Sequence, residues 1–354
     1  LAAVLFLMAS LAPYADPRHW WLLSVSALGF GFLFILLFFF LFFWLIVKPR
    51  FVWFALIPLI IGIKGLTVFF AFRFPTSFVK QKPPGRLRVV TWNVARFTEW
   101  KRNNNRGSQT RQKMLQQLKE QNADVLCLQE FFHSTDSVYY DNLNVVMRDL
   151  GYPYYVYAWD NDGPRQFNGQ AIFSRLPIVD SGLVRFPRPG LPETLIHADM
   201  LWGGDTVRVY TTHLQSVQFK KQDYESLEKI KRNDEGVIDN SKNIFAKLHR
   251  GMSVRAGQAR IVREAIEQSP YPYLITGDFN DVPNSYTYFT ISEGLTDAFL
   301  ARGFGIGRTY SFISPTLRID YILVTPEFTV RQFNRTVKSY SDHFMLTADL
   351  ERTD

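Results

Sequence analysis

Cysteine is almost absent from this chain of 354 residues, which contains one. A single Cys allows neither an intrachain disulfide nor a thiolate cluster around a metal ion. The one thiol, Cys127, lies in the apolar run over residues 125–128, so we interpret it as a small residue of the core. Disulfide scaffolds and cysteine-ligated metal domains are therefore excluded as fold classes.

Charge is scarce in the first 74 residues, which hold five of the 40 Lys and Arg and one of the 32 Asp and Glu. They still carry half of the net charge of +8, so the basic balance does not by itself indicate nucleic-acid binding. Residues 20–47 contain no charged residue, and residues 51–72 contain one, Lys64. Residues 1–12 are apolar but too few to span a bilayer alone. About 20 apolar residues span a bilayer. We therefore predict an α-helical transmembrane anchor over residues 1–74, with about three helices, the first truncated.

Basic residues near these segments indicate an orientation. Lys48 and Arg50 lie in a short loop between predicted spans, and such residues favour the cytoplasmic side. Three spans then place the remaining chain in the periplasm, in an integral protein of the bacterial inner membrane type. Basic residues after the last span, such as Arg73 and Lys80, argue the other way. Lys64, inside the last span, is expected to reach the interface or to pair with a partner.

Proline and glycine mark residues 75–86 as a linker, and the pattern changes after it. In residues 87–354, helical spacing of apolar residues predicts helices over 111–121 and 256–268. Short apolar segments predict strands over residues 87–91, 125–129, 170–173, 195–201, 207–212, 273–276, 321–324 and 345–350. Strands and recurring helices without a repeat predict an α+β or layered α/β domain.

Polar side chains stand at the ends of six of these apolar segments. Any one of them could be an ordinary capping or solvated residue, but six together indicate a shared role. They are Asn93, Glu130, His213, Asp278 with Asn280, Asp320, and Asp342 with His343. If the strands share one sheet edge, these side chains converge on a pocket. Carboxylates and amides without thiolates suit a hard cation, Mg²⁺ or Mn²⁺, and His beside Asp supplies acid and base groups. This set predicts phosphate-ester hydrolysis. The motifs of zinc peptidases, P-loop proteins and dinucleotide enzymes are absent from the sequence.

At these residues the chain resembles the endonuclease/exonuclease/phosphatase superfamily, which has a deoxyribonuclease I-like fold. The resemblance covers residues 87–350, and its motifs stand in the family's order. They are Thr91-Trp92-Asn93-Val94, Leu128-Gln129-Glu130, residues 168–175, Thr212-His213-Leu214, Gly277-Asp278-Phe279-Asn280, Arg318-Ile319-Asp320-Tyr321 and Ser341-Asp342-His343. The resemblance implies an α+β fold, a four-layer α/β/β/α sandwich, with the site at one end.

The resemblance also implies a role for each motif residue. Metal binding falls to Glu130 as primary ligand, with Asn93 close by and Asp342 as a second carboxylate. His343 is the catalytic His beside the scissile phosphate, and Asp320 orients it. The remaining catalytic residues are Asp278, which activates water or protonates the leaving oxygen, and Asn280 and His213, which donate to the phosphoryl oxygens. Which of Asp278 and His343 acts as acid and which as base stays open.

Two further residues are candidates for substrate binding. Asn168 is expected either to contact the substrate phosphate or to form an Asn-Gly turn before a strand. Arg255 and its neighbour Gln258 are expected either to face the site or to lie on the surface of a helix. Residues 215–255 form a long insertion of mixed charge, expected to be a lid or a partner surface.

These residues support two hypotheses. The first is a membrane-anchored, divalent-metal-dependent phosphodiesterase that acts on nucleic acid or on a phospholipid or sphingolipid headgroup. The alternative is a non-catalytic or moonlighting subunit of a membrane assembly, which would bind membrane-protein partners through the transmembrane helices and residues 215–255. Every motif position holds a chemically competent residue, which favours the hydrolase.

Overall fold

Apolar residues along the central strands contribute alternately to two different cores. In strand β2 (Leu87–Asn93), Val89 belongs to one buried cluster and Val90 to another. Successive residues of a strand point to opposite faces, so a strand that is apolar on both faces lies between two covering layers. The same alternation occurs in strand β3 (Val125–Ser134), where Val125 belongs to the cluster of Val89 and Leu126 to the cluster of Val90.

The computed structural model describes residues 1–74, 77–187, 193–219, 222–226 and 237–353. The chain forms two compact units. The helical unit comprises Leu1–Phe69, Gln215–Arg263 and Asn280–Ile291. The sandwich unit comprises Phe70–Leu214, Glu264–Phe279 and Ser292–Asp354. Each unit is described by itself.

The sandwich unit contains two six-stranded sheets and one small two-stranded sheet. The strands are β1 Ala71–Phe72, β2 Leu87–Asn93, β3 Val125–Ser134, β4 Tyr154–Gly163, β5 Gln166–Ser174, β6 Ile178–Arg185, β7 Thr194–Trp202, β8 Asp205–His213, β9 Tyr273–Asp278, β10 Thr296–Asp297, β11 Phe304–Gly305, β12 Asp320–Val324, β13 Phe328–Thr336 and β14 Met345–Arg352. One large sheet has the order β10-β12-β9-β8-β7-β6 and the other β13-β14-β2-β3-β5-β4, while β1 pairs with β11.

The two large sheets pack face to face, with helices on their outer sides. The cluster between the sheets includes Val89 and Ile172 from one sheet and Val209 and Ile322 from the other. The second cluster lies between Trp92 on one sheet and the helix Thr110–Gln121, through Met114 and Leu118. Other helices of this unit are Ala95–Phe97, Asn142–Asn144, Val145–Asp149, Ala298–Arg302 and the end of Val237–Glu267. The predicted α+β sandwich is confirmed.

All eight predicted strands are present, and most are longer than predicted. The predicted helices are also present, as Thr110–Gln121 and as the last part of Val237–Glu267. Prediction from pattern missed β4, β6 and β13, which lie at or next to sheet edges. Every residue of β6 is exposed or half-buried, so its solvated face weakens the apolar pattern from which a strand could be predicted.

The helical unit contains the N-terminal helices together with two later segments of the chain. The helices are Ala2–Leu11, Ala12–Tyr14, Pro17–Ala27, Phe30–Val47, Pro49–Phe51, Trp53–Ile61 and Ile63–Phe69, then 222–226, most of Val237–Glu267, and Tyr286–Ser292. Residues 75–76 of the predicted linker and residues 220–221 and 227–236 of the predicted insertion lie outside the described part of the chain.

The uncharged segment over residues 20–47 does not form one continuous helix. The apolar run is divided between Pro17–Ala27 and Phe30–Val47, with Gly29 as the N-cap of the second helix. Gly31 lies so close to Phe69 that a Cβ on Gly31 would be 2.4 Å from the Phe69 ring. The helices Phe30–Val47 and Ile63–Phe69 therefore pack tightly against each other. Among the described residues, Phe30–Val47 is the one helix long and apolar enough to cross a membrane, and Pro49–Ile61 with Ile63–Phe69, bent by 57°, forms a second candidate.

Candidate active site

Two neighbouring strands carry the first pair of predicted site residues. Strands β2 and β3 are parallel, and Asn93, the last residue of β2, lies opposite Gln129 of β3. Glu130 follows at a shift in register between Leu128 and Phe131, and its backbone is left-handed with φ 49°. Such a bulge turns a side chain out of the regular alternation. The Asn93 amide Nδ2 then donates to Glu130 Oε1 over 3.1 Å.

The opposite sheet contributes the second group. His213 at the end of β8 pairs in register with Asp278 at the end of β9, and Asp278 pairs with Asp320 at the start of β12. His213 Nε2 lies 3.5 Å from Asp278 Oδ2. Asn93 Nδ2 also donates to Asp278 Oδ2, over 3.1 Å. The amide of Asn93 therefore joins the strand ends of both sheets.

His343 forms a buried pair with Asp320. Its Nδ1 lies 2.9 Å from Asp320 Oδ2, and its other ring nitrogen, Nε2, lies 3.6 Å from Asp278 Oδ2. Both partners are almost fully buried, with His343 5% exposed and Asp320 2%. The imidazole is thus oriented by one carboxylate and directed at another, which is the arrangement of an acid/base histidine.

Backbone contacts hold the loop that carries His343. The Trp92 indole donates to the His343 carbonyl over 2.9 Å. The Ser341 hydroxyl donates to the Asn93 carbonyl over 2.7 Å and accepts the His343 amide over 3.2 Å. The end of β2 and the loop that carries His343 are therefore joined by two direct hydrogen bonds.

Burial and neighbouring charges set the protonation of this cluster. Burial by itself lowers the pKa of an imidazole, but the carboxylates of Asp320 and Asp278 outweigh it and raise the pKa of His343 to about 10. Burial raises the pKa of Asp320 to about 6, against the opposing effect of His343. For His213, burial also lowers the pKa, and Asp278, Glu193 and Glu130 together raise it. Near neutral pH His343 is therefore an imidazolium paired with a carboxylate.

Two different sets of side chains have atoms that could bind a metal ion. Asp278, Asp320 and His343 place one ligand atom each within 4.8 Å of one another. The predicted set is Glu130, Asn93 and Asp342, of which Glu130 and Asp342 are half-buried and so reachable from solvent. Because His343 Nδ1 is already engaged by Asp320, the all-oxygen set around Glu130 fits a hard divalent cation better.

Asn168, Asn280 and Arg255 were also predicted as site residues. Asn168 lies inside β5 opposite Asp160, so the interpretation as an Asn-Gly turn is wrong. Its buried Oδ1 has no hydrogen-bond partner among the described residues. Asn280 and Arg255 belong to the helical unit. Arg255 and Gln258 are buried, at 1% and 2% exposure, so the expectation of a surface position is wrong.

Sequence reasoning missed the residues that support the cluster. The Thr309 hydroxyl accepts the backbone amides of Ile319 and Asp320, and the Tyr310 ring lies 5.0 Å from the His343 ring. The Gln129 amide donates to Thr91 and Thr211, one on each sheet. Gln129 and Ser341 belong to the motifs Leu128-Gln129-Glu130 and Ser341-Asp342-His343, although no role was predicted for them. Thr309 and Tyr310 lie outside these motifs, and more than 30 residues separate them from His343.

Comparison with known proteins shows the family of this chain. The profile of the endonuclease/exonuclease/phosphatase family matches residues 90–343, and the chain therefore belongs to that family. A second profile, described as a domain of unknown function, matches residues 1–69. No match was found among curated proteins.

Solved structures of similar fold cover about three quarters of this chain. The human nocturnin catalytic domain with bound sulfate is 18% identical, with TM-score 0.53 over 78% of this chain and 97% of that one. A family member from Bacteroides vulgatus is 19% identical, with TM-score 0.52 over 76% and 99%. D. rerio TDP2 complexed with a single strand DNA product is 18% identical, with TM-score 0.51 over 75% and 99%. At this identity the likeness shows the shared fold alone.

Proposed function

We propose that this chain is a membrane-anchored, divalent-metal-dependent phosphodiesterase that acts on nucleic acid or on a phospholipid or sphingolipid headgroup. The observation that carries the proposal is the Asn93–Asp278–His343–Asp320 cluster, in which one amide and one imidazole are directed at the same buried carboxylate. Membership of the family supports phosphoester hydrolysis in general.

Each residue of the cluster is proposed to have its own role in phosphoryl transfer. Asp278 is placed to accept a proton from the attacking water, because it lies among cationic and amide donors. The His343 imidazolium supplies positive charge, and a proton for the leaving oxygen, at Nε2. His213 and Asn280 are proposed to donate to the phosphoryl oxygens, where negative charge gathers in the transition state. Asp320 holds the imidazole ring in place.

Glu130, Asn93 and Asp342 are proposed to hold Mg²⁺ or Mn²⁺. Such an ion would supply Lewis-acid stabilisation of the phosphoryl oxygens. The Asn93 amide orients the Glu130 carboxylate through the 3.1 Å hydrogen bond, which leaves the other carboxylate oxygen for the cation. Asn168 is kept as a proposed substrate contact, since its buried Oδ1 has no partner among the described residues.

Membrane attachment rests on the helix Phe30–Val47. Its 18 residues carry no charge, and large side chains such as Ile35 and Phe39 are 65% and 64% exposed. A water-facing surface of that kind is rare, whereas a lipid-facing one is expected. The proposal places Lys48 and Arg50 in the cytoplasm. If the bent pair of helices that follows crosses back, the catalytic domain lies in the periplasm.

The test is hydrolysis by the detergent-purified protein with Mg²⁺ or with EDTA. Plasmid DNA, a phosphosphingolipid in mixed micelles and bis-p-nitrophenyl phosphate are the three substrates. We expect metal-dependent turnover that His343→Ala lowers by about 10²–10⁴-fold, because the acid/base group is removed. His19→Ala, which changes an exposed histidine outside the cluster, is the matched control. Equal activity of His343→Ala and the control would refute the site.

A further inference from the structure

Lys64 carries a charge that the proposed function leaves unexplained. It lies in the apolar helix Ile63–Phe69, and its ammonium nitrogen is 5.4 Å from the centre of the Tyr14 ring and 5.2 Å from that of Phe289. An ammonium at this distance is attracted by the electron-rich faces of aromatic rings. The Tyr14 and Phe289 rings also contact each other edge to face at 5.7 Å. Lys64 therefore links the N-terminal helices to the helix Tyr286–Ser292.

Asn284 makes a second, independent link between the same parts of the helical unit. It is 1% exposed, and its Nδ2 donates to the carbonyl of Ala9 over 2.7 Å. Its Oδ1 lies 2.8 Å from the point where a Cβ at Gly65 would stand. Any larger residue at position 65 would displace Asn284. The buried amide thus fits a space formed by two N-terminal helices.

The segment held in this way begins with a residue of the proposed active site. Asn280 has a left-handed backbone, with φ 52°, and such a conformation persists when the surroundings hold it. The next residue, Asp281, accepts hydrogen bonds from Arg255 Nε over 3.3 Å and from the Thr287 hydroxyl over 2.8 Å. Asn284 follows three residues later. The conformation of Asn280 is therefore tied to the packing of residues 281–289.

We propose that Lys64 and Asn284 are positioning residues for the reaction. They hold the segment Asn280–Ile291 against the N-terminal helices and so fix the backbone of Asn280, which is proposed above to donate to the phosphoryl oxygens. Arg255 serves the same purpose through Asp281, rather than by touching substrate. This inference rests on the proposed function. It makes the N-terminal helices part of the working enzyme and not only a tether to the membrane.

The first readout is turnover of a soluble substrate, bis-p-nitrophenyl phosphate, by the full chain in detergent. Lys64→Met removes the cation and keeps the length of the side chain, while Asn284→Asp keeps the shape and removes the donor to Ala9. We expect each to lower kcat by about tenfold, with KM nearly unchanged, because a small misplacement of a donor slows chemistry. Lys64→Arg, which keeps a cation over the rings, should retain most of the wild-type kcat. Lys48→Met is the control for loss of an exposed charge.

The second readout does not depend on activity. Hydrogen exchange should quicken across residues 281–291 in Lys64→Met and Asn284→Asp, while strand β9, which ends at Asp278, stays protected. Unchanged exchange in both variants, or wild-type kcat in both, would overturn the inference. If the wild-type chain hydrolyses none of the substrates, the proposed function fails instead, and exchange alone decides whether the helices hold the segment. A variant that loses protection of buried Cys127 from alkylation has unfolded, and Phe289→Leu then replaces it.

Discussion

The two units contain similar apolar residues but place them in different environments. Helix Phe30–Val47 is 17% buried, and its Phe, Leu and Ile side chains point largely outward. Every residue of strand β2 is buried, between two covering layers. The two apolar segments differ in their length and in the residue at which each ends. A long uncharged run has nowhere to place a polar group and suits lipid, whereas a short run that ends in Asn93 delivers a polar side chain to the edge of a core. Similar apolar residues thus form an outward-facing helix in one unit and a buried strand with a polar end in the other.

The largest expected effect is on the stability of the sandwich unit. Leu126 is fully buried in the cluster under the helix Thr110–Gln121. We expect Leu126→Ala to lower the free energy of unfolding by about 2–5 kcal/mol, because it removes buried contacts and leaves a cavity. Urea unfolding followed by Cys127 alkylation measures it. Val179→Ala, at a residue 55% exposed on β6, is the control and should change stability little.

A charge placed on the apolar helix tests its environment directly. Phe39 is 64% exposed at the middle of Phe30–Val47. If that side chain faces lipid, Phe39→Arg costs about 2.5–3.5 kcal/mol of insertion and shifts the protein out of the membrane fraction after carbonate extraction. If it faces water, the same change is neutral. Val179→Arg on the sandwich is the control, and equal membrane retention of both variants would contradict a lipid-facing helix.

Metal binding should stabilise the sandwich unit and leave membrane retention unchanged. At a Mg²⁺ concentration a hundredfold above Kd, we expect about 2.7 kcal/mol of added stability, visible as a rise in thermal midpoint that EDTA abolishes. Glu130→Ala should remove this rise, whereas Asp320→Asn should keep it. The reverse pattern would assign the ion to Asp278, Asp320 and His343 instead.

The last expected effect is confined to alkaline pH and is absent near neutral pH, where the thiol is protonated in both states. Burial raises the pKa of the Cys127 thiol from 9.0 to about 12, against a hydrogen bond with Thr276 that lowers it. Between these values the unfolded chain loses the proton and the folded chain keeps it, so stability falls as pH rises, by about 1.4 kcal/mol per pH unit. Cys127→Ala should show a shallower fall between pH 9 and 12 in urea titrations. Parallel curves for the two proteins would show that this thiol is not buried.

Much of the sandwich was predictable because its signals are local. The apolar strands with Asn93, Asp278 and His343 at their ends stand in the sequence as recognisable segments, and the structure brings these three side chains together. The edge strands β4, β6 and β13 were not predicted, since a half-solvated strand has a weak apolar pattern. The break of the run over residues 20–47 was also missed, because an uncharged segment looks alike whether it forms one helix or two.

By itself, the sequence determined which segments are apolar, where the charges are excluded, and which polar residues end the strands. These properties depend on residues close together in the chain. Tertiary structure alone decided that Thr309 supports Asp320, that Arg255 is buried against Asp281, and that Lys64 and Asn284 link the first helices to residues 280–291. Such contacts join residues far apart in the chain, and their energies depend on packing that no local pattern records.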